Sequence, residues 1–199
     1  MIELPDSPAP ANVTPGLLYF GSSITPPLGG PTQTIERLGT RHKLKVTMPP
    51  LPNKDAAMAY LSKLRRGKSG GVRMAWPLGG FDPGDPGPAP AIRIERQIGK
   101  SFTLQGMRPG YIIKEGQFFS IESDGVHYLY EATEDREVLP TGNAEAFGCH
   151  PLIRATHSVG DTVHFVRPMI EGILIGQDLD WELSVEYLNE FEFEIHERK

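Results

Sequence analysis

Residues Ser101–Tyr130 read SFTLQGMRPGYIIKEGQFFSIESDGVHYLY and hold the strongest strand signals of the chain. Short β-branched and aromatic segments alternate there with glycine-containing turns. The last turn, Ser123-Asp124-Gly125, is typical of a tight hairpin because glycine accepts the positive φ that such turns need. The pattern predicts a β-meander with strands at Ser101–Gln105, Tyr111–Lys114, Gln117–Glu122 and Val126–Tyr130.

The composition favours a mainly β protein with a packed core. The chain has 199 residues, of which 39% are hydrophobic, and its 22 glycines and 19 prolines indicate many turns. It has no run of about 18 apolar residues, so we expect no membrane span. The acidic, proline-rich start MIELPDSPAPANVTPG lacks the apolar region of a signal peptide. The single cysteine, Cys149, excludes an internal disulfide and suits a reducing cytoplasm.

The order of segments predicts an arm followed by a β-rich domain. Residues 1–33 are rich in proline, so we expect an extended N-terminal arm with one possible strand, Leu17–Phe20, either disordered or ordered on a neighbouring subunit. Residues 34–199 form the predicted β-rich domain. Within it, residues 77–90 (PLGGFDPGDPGPAP) form a long loop with no phosphate-binding motif.

One helix is predicted, over residues 53–67. Asn53 is a good N-cap, Asp55 suits the first turn, and Gly67 is a plausible residue just past the helix end. Its apolar stripe has helical spacing and predicts packing on a sheet. The stripe consists of Ala57, Tyr60, Leu61 and Leu64.

Charge is distributed unevenly along the chain. Residues 1–73 carry ten basic and four acidic residues, and the remainder carries ten basic and 21 acidic, within a net charge of −5. Halves of opposite sign attract within one molecule or between neighbours. The predicted subunit interface therefore uses charged residues from both halves: Arg37, Arg41, Arg65, Arg66, Glu190, Glu192 and Glu194.

The sequence predicts no catalytic, cofactor or metal site. His150, His157 and His164 are spaced by sevens near Cys149 and Asp161, but zinc ligands usually occur in closely spaced pairs, so scattered histidines are the favoured interpretation. No G-x-S-x-G motif indicates a nucleophilic serine. The acids around Trp181 lack the spacing of a calcium loop, which favours a solvated acidic loop over a sugar subsite. They are Asp178, Asp180 and Glu182.

An ordered series of segments in residues 34–170 resembles small structural proteins of long-tailed bacteriophages and prophages, nearest to distal tail or baseplate-hub proteins. The series consists of RLGTRHKLKVTMPPLP (37–52), DAAMAYLSKLRRG (55–67), IERQIGKSFTLQGMRPGYIIKEGQFFSI (94–121), YLYEATED (128–135) and HPLIRATHSVGDTVHFVRP (150–168).

The resemblance implies a tail-tube-like fold, a β-sandwich or split barrel with one packed helix. It implies a homo-oligomeric ring, often a hexamer, around the channel through which DNA leaves. The partners would be tail-tube, hub and tail-fibre proteins, and the location the virion tail tip, after assembly in the host cytoplasm. The alternative from the residues is a carbohydrate-binding module for host attachment. Its candidate aromatics are Tyr111, Phe118, Phe119, Tyr128 and Tyr130.

Overall fold

The computed structural model describes residues 1–52, 55–176, 187–188 and 190–198. This part of the chain is mainly β with one α-helix, which confirms the predicted fold class. The strands form a six-stranded sheet, a closed six-stranded barrel and three short two-stranded pairs.

The sheet joins strands from both ends of the sequence. Its order is β1 (Ile2–Glu3), β7 (Val72–Ala75), β16 (Met169–Ile175), β18 (Phe191–Glu197), β5 (Arg41–Met48) and β2 (Asn12–Leu18). Only β1 and β7 among these pairs run parallel. Leu44 and Val46 on β5 are buried opposite Ile195 and Phe193 on β18, while the intervening residues are charged. This alternation leaves one polar sheet face and one apolar face.

The barrel contains most of the predicted meander. Its order is β11 (Phe118–Ser123), β12 (Val126–Ala132), β14 (Ala144–Ile153), β9 (Gly99–Gln105), β8 (Ala91–Ile92) and β15 (Thr162–His164). The predicted hairpin joins β11 to β12, with Asp124 at φ 52° and Gly125 at φ 75°, as a type I′ turn requires. Aromatic rings fill the interior, including Phe102, Phe119, Tyr130 and Phe147.

The pairing differs from a simple meander. Strand β9 pairs with β14 and β8. Strand β10 (Ile112–Ile113) pairs with β13 (Arg136–Glu137), outside the barrel. The positions of the strands follow from local sequence. Which strands pair with each other depends on how the barrel closes, and this brings together strands that are distant in the chain, such as β9 and β14.

Helix α1 (Asp55–Gly70) packs its predicted stripe into the sheet's core. All four stripe residues are at most 3% exposed: Ala57, Tyr60, Leu61 and Leu64. The helix extends three residues past Gly67, which lies inside it and leaves no room for a side chain beside Val72. Gly71, at φ 77°, ends the helix instead and donates its N–H to the Gly67 carbonyl, at 2.7 Å. The predicted N-cap, Asn53, lies outside the described residues.

The first eighteen residues, predicted as part of an extended arm that is disordered or ordered on a neighbouring subunit, contribute two strands to the chain's own sheet. Strands β1 and β2 occupy the two edges of the chain's own sheet. Pro15 is tolerated in β2 because an edge strand leaves one row of N–H groups unpaired. What extends from the sheet is the following segment, with β3 (Ser22–Ile24) paired to β4 (Gln33–Ile35). The last pair joins β6 (Leu51–Pro52) to β17 (Tyr187–Leu188).

Residues 77–90 contain no helix or strand, as predicted. They pack against the turn that precedes β10. The Tyr111 hydroxyl donates to the Pro83 carbonyl at 2.7 Å, and the Arg108 N–H donates to the Pro86 carbonyl at 2.7 Å. The loop is therefore held by specific hydrogen bonds to the barrel region.

Replacing Leu61 with Asp should destabilise the protein by about 3 kcal/mol or more, because it buries an unpaired charge. Met58→Asp on the same helix is the matched control, since Met58 is 48% exposed. We expect thermal melts followed by circular dichroism to show a large loss for Leu61→Asp and a small change for Met58→Asp. Equal melting of Leu61→Asp and the parent would contradict this packing.

Candidate functional site

A segment with several exposed apolar side chains follows β2. We call residues 19–40 the N-terminal hairpin, since β3 and β4 pair with each other and with no other described strand. Cross-strand hydroxyls line it, with Thr25 Oγ 3.2 Å from Thr32 Oγ. Its tip turns at Gly29, whose N–H donates to the Pro26 carbonyl at 3.2 Å. Six large apolar side chains are at least 44% exposed: Tyr19, Phe20, Ile24, Leu28, Ile35 and Leu38.

The base of the N-terminal hairpin is fixed to the domain. Within the hairpin, the Phe20 N–H donates to Thr40 Oγ at 3.3 Å and joins the two ends of its base. The Arg41 guanidinium, at the start of β5, lies 5.1 Å from the centre of the Phe20 ring. Lys100 forms an ion pair with Glu36 at 2.7 Å. The base is thus anchored, while Leu28 at the tip is 98% exposed.

The predicted interface charges do not form one cluster. Glu192 pairs with Lys45 at 2.6 Å and Glu194 with Lys43 at 2.9 Å, on the polar face of the same chain's sheet. The two halves of opposite charge therefore meet within the subunit. Of the other predicted residues, Arg37 and Arg41 lie at the hairpin base, Arg65 and Arg66 on exposed positions of α1, and Glu190 just before β18.

A buried ion pair links the barrel to the sheet. Arg154, just past β14, contacts Glu197 on β18, and their side chains are 2% and 1% exposed. Glu197 also accepts the N–H groups of Leu129 on β12, at 2.7 Å, and His42 on β5, at 3.1 Å. Burial raises the pKa of Glu197, and the Arg154 charge opposes that shift. This network joins four strand regions through one carboxylate.

A serine, a histidine and an aspartate also meet inside the protein. Ser123 Oγ lies 2.7 Å from His157 Nδ1 and donates to Asp161, while His157 Nε2 lies 3.1 Å from the Tyr130 hydroxyl. Because the serine proton points to Asp161, the imidazole donates to the serine and does not activate it. His157 is fully buried. The arrangement supports a structural network and not nucleophilic catalysis.

A third cluster lies on the outside of the barrel. Glu122, His127 and His164 bring their ligand atoms within 4.8 Å of one another. They line a cleft of about 240 Å³ with Arg73 and Arg167, among others. Burial lowers the pKa of His127 to about 4, so its imidazole is neutral at pH 7. Two imidazoles and a carboxylate are a donor set that binds transition metals.

The histidines considered from the sequence are dispersed. His157 belongs to the Ser123 network, and His164 to the Glu122 cluster. Cys149 is buried in the barrel core, and burial raises the pKa of its thiol to about 12. It therefore stays protonated, which is unsuitable for a nucleophile or metal ligand at neutral pH. Asp178, Asp180 and Glu182 lie outside the described residues.

The aromatic residues proposed for sugar binding belong to the packed interior. Phe119 and Tyr130 are fully buried, and Tyr111 and Tyr128 pack against the same barrel core. Phe118 packs on the other core cluster, where its ring lies 5.0 Å from that of Trp76. None of these five therefore presents a fully exposed ring face for stacking.

Comparison with known proteins adds no family assignment. No model of a protein family matches the sequence, and no curated protein matches it. Within the described ranges, no helix has the length and apolar character needed to cross a membrane.

The sequence did not predict the two buried polar networks, Arg154–Glu197 and Ser123–His157–Asp161, or the Glu122 cluster. The predicted hairpin contained a usable signal, since a two-residue turn after Ser123 places Glu122 directly opposite His127. His164 joins them only because β15 closes the barrel beside β11. Arg154 and Glu197 are 43 positions apart and carry no shared local pattern.

Stability should fall as the pH is lowered from 7 to 5. Burial lowers the pKa of His157 from 6.5 to about 4, so the unfolded chain binds the proton more readily than the folded one. The stabilisation is complete above pH 6.5 and decreases as the pH falls towards 4. For His157 this corresponds to about 2 kcal/mol at pH 5.

Thermal melts at pH 7 and pH 5 measure this effect. His157→Gln should have a smaller difference between the two pH values than the parent. The matched control is His196→Gln, since His196 is partly exposed, with 20% of its side chain accessible, and should keep the parent's difference. An unchanged difference for His157→Gln would show that this histidine is not buried in its neutral form.

Proposed function

We propose that this protein is a structural subunit of the tail tip of a long-tailed bacteriophage. Copies assemble into a ring, a hexamer in the resembling family, that joins the tail tube to the baseplate and receptor-binding apparatus. Hub and tail-fibre proteins are its other partners, and DNA passes through the central channel without sequence-specific binding. The observation that carries the proposal is the N-terminal hairpin, an anchored segment with an exposed apolar surface.

The occupant of that surface is a second copy of the chain. Groups of exposed apolar side chains commonly mark interaction sites, and here six of them lie on the segment that connects the end of β2 to the start of β5. The β1 edge lies on the opposite side of the same sheet. A surface that contacts a different surface on the next copy gives a head-to-tail interface, and rotation closes such an interface into a ring.

Charge has a secondary role in this assembly. Glu192 and Glu194 are already paired inside the subunit, and exposed ion pairs contribute only about 0–1 kcal/mol each. Apolar contact through the hairpin supplies the stability, and Arg37 and Arg41 at its base orient the approach. The net charge of −5 suits a DNA conduit, because basic walls would retain the phosphates.

Replacing Ile24 and Leu28 together with Ser should prevent or weaken ring formation. Each large apolar side chain contributes roughly 1.5–3 kcal/mol when fully buried. We therefore expect the variant to need at least about tenfold more protein to assemble. Sedimentation velocity over a concentration series measures assembly, and negative-stain microscopy checks for a closed ring with a central opening.

The matched control is Ile98→Ser, at a site that is 85% exposed and outside the hairpin. It should assemble like the parent. A parent that stays monomeric at every concentration, or a control as defective as the hairpin variant, would contradict the proposal. Deleting residues 1–33 is a less suitable test, because the deletion also removes edge strands β1 and β2.

A further inference from the structure

The strand registers place three metal-binding side chains on one patch of the barrel's outer surface. Glu122 on β11 is directly opposite His127 on β12. On the other side of β11, His164 of β15 is opposite Ser120, two residues from Glu122 and therefore on the same strand face. Adjacent strands of a closed barrel keep these positions fixed relative to one another.

We propose that Glu122, His127 and His164 form a binding site for a divalent transition-metal ion, with Zn²⁺ as the best fit. Glu122 Oε2 lies 3.1 Å from His164 Nε2 and 3.9 Å from His127 Nε2. Ligand atoms bound to tetrahedral zinc at roughly 2.0–2.1 Å are about 3.3 Å apart. Small side-chain rotations bring the three atoms to that spacing.

The donor set determines the class of ion. Two imidazole nitrogens and one carboxylate oxygen suit zinc and its neighbours, whereas calcium and magnesium prefer sites made of oxygen ligands. Three protein ligands leave the fourth tetrahedral position to water. The cleft is open to the ion, since the side chains of Glu122 and His164 are 38% and 33% exposed.

Contacts behind His127 direct the correct nitrogen towards the site. Ser120 Oγ lies 3.4 Å from His127 Nδ1 and accepts the Met169 N–H at 3.0 Å. His127 Nε2 is therefore the nitrogen that faces Glu122. A metal-bound histidine commonly uses its other nitrogen for such a contact, which fixes the ring.

Two arginines line the same cleft, and nearby acids balance their charge. Arg73 pairs with Glu3 at 3.4 Å. Arg167 pairs with Glu3 at 3.3 Å and Asp6 at 3.0 Å. Glu122 is thus left as the carboxylate that faces the two histidines. These pairs depend on the N-terminal residues, which β1 holds beside β7.

The proposal departs from the sequence-based expectation of no metal site because it uses a different set of residues. Of the histidines considered there, it retains His164 alone. It is independent of the proposed ring, since all three ligands come from one chain and the site exists in a single subunit.

Isothermal titration of the full-length protein with ZnCl2, after dialysis against a chelator, tests the site. We expect one zinc ion per chain. Glu122→Gln and His164→Ala should each weaken zinc binding at least tenfold. His196→Ala is the matched control because His196 also contacts a carboxylate, Glu194, at 3.0 Å, and it should bind zinc like the parent.

Circular dichroism spectra establish that each variant is folded. Glu122 and His164 are both partly exposed, so we expect both substitutions to be tolerated by the fold, and either folded variant is sufficient for the test. Absence of stoichiometric zinc binding by the parent would overturn the proposal. Parent-like affinity in both Glu122→Gln and His164→Ala would also overturn it, since zinc would then bind elsewhere. Equal affinity for MgCl2 would refute the assignment to a transition metal.

Discussion

The buried Arg154–Glu197 pair is the interaction that fixes the barrel on the sheet. Two charges in the interior are costly unless each is paired and hydrogen-bonded. Glu197 meets that requirement with donors from β5 and β12 as well as the guanidinium. Arg154 also lies over the rings of Tyr128 and Tyr130, 5.7 and 5.3 Å from their centres. Any relative shift of barrel and sheet would separate these groups.

This constraint bears on function because it holds the barrel and the six-stranded sheet together as one unit. The polar groups that resemble a catalytic site, Ser123, His157 and Asp161, are used inside the barrel to hold β-turns together. Charges on the polar sheet face pair across β5 and β18. The described surface also presents the apolar N-terminal hairpin, anchored at Phe20 and Arg41. The proposed assembly therefore depends on an apolar segment that is held at its base by a single packed body.

Local patterns in the sequence were sufficient to predict the strands within Ser101–Tyr130, the Asp124-Gly125 hairpin and the apolar stripe of α1. Each depends on residues within about ten positions of one another. The sequence did not predict that residues 1–18 complete the sheet, because their prolines favour an extended arm. Their pairing partners are β7, for β1, and β5, for β2, and both lie further along the chain. The Glu122 cluster and the Arg154–Glu197 pair arise from the closure of the barrel and its docking on the sheet. No periodicity along the chain encodes such contacts.

A double-mutant cycle with Arg154→Met and Glu197→Gln tests the claim that this pair joins barrel and sheet. Each single substitution leaves a buried polar group without its partner and should lower the free energy of unfolding by about 3–5 kcal/mol. Because the double variant removes both charges, its loss should be at least about 2 kcal/mol smaller than the two single losses combined. Losses that add to within about 0.5 kcal/mol would show that the two side chains act independently, and would contradict the account.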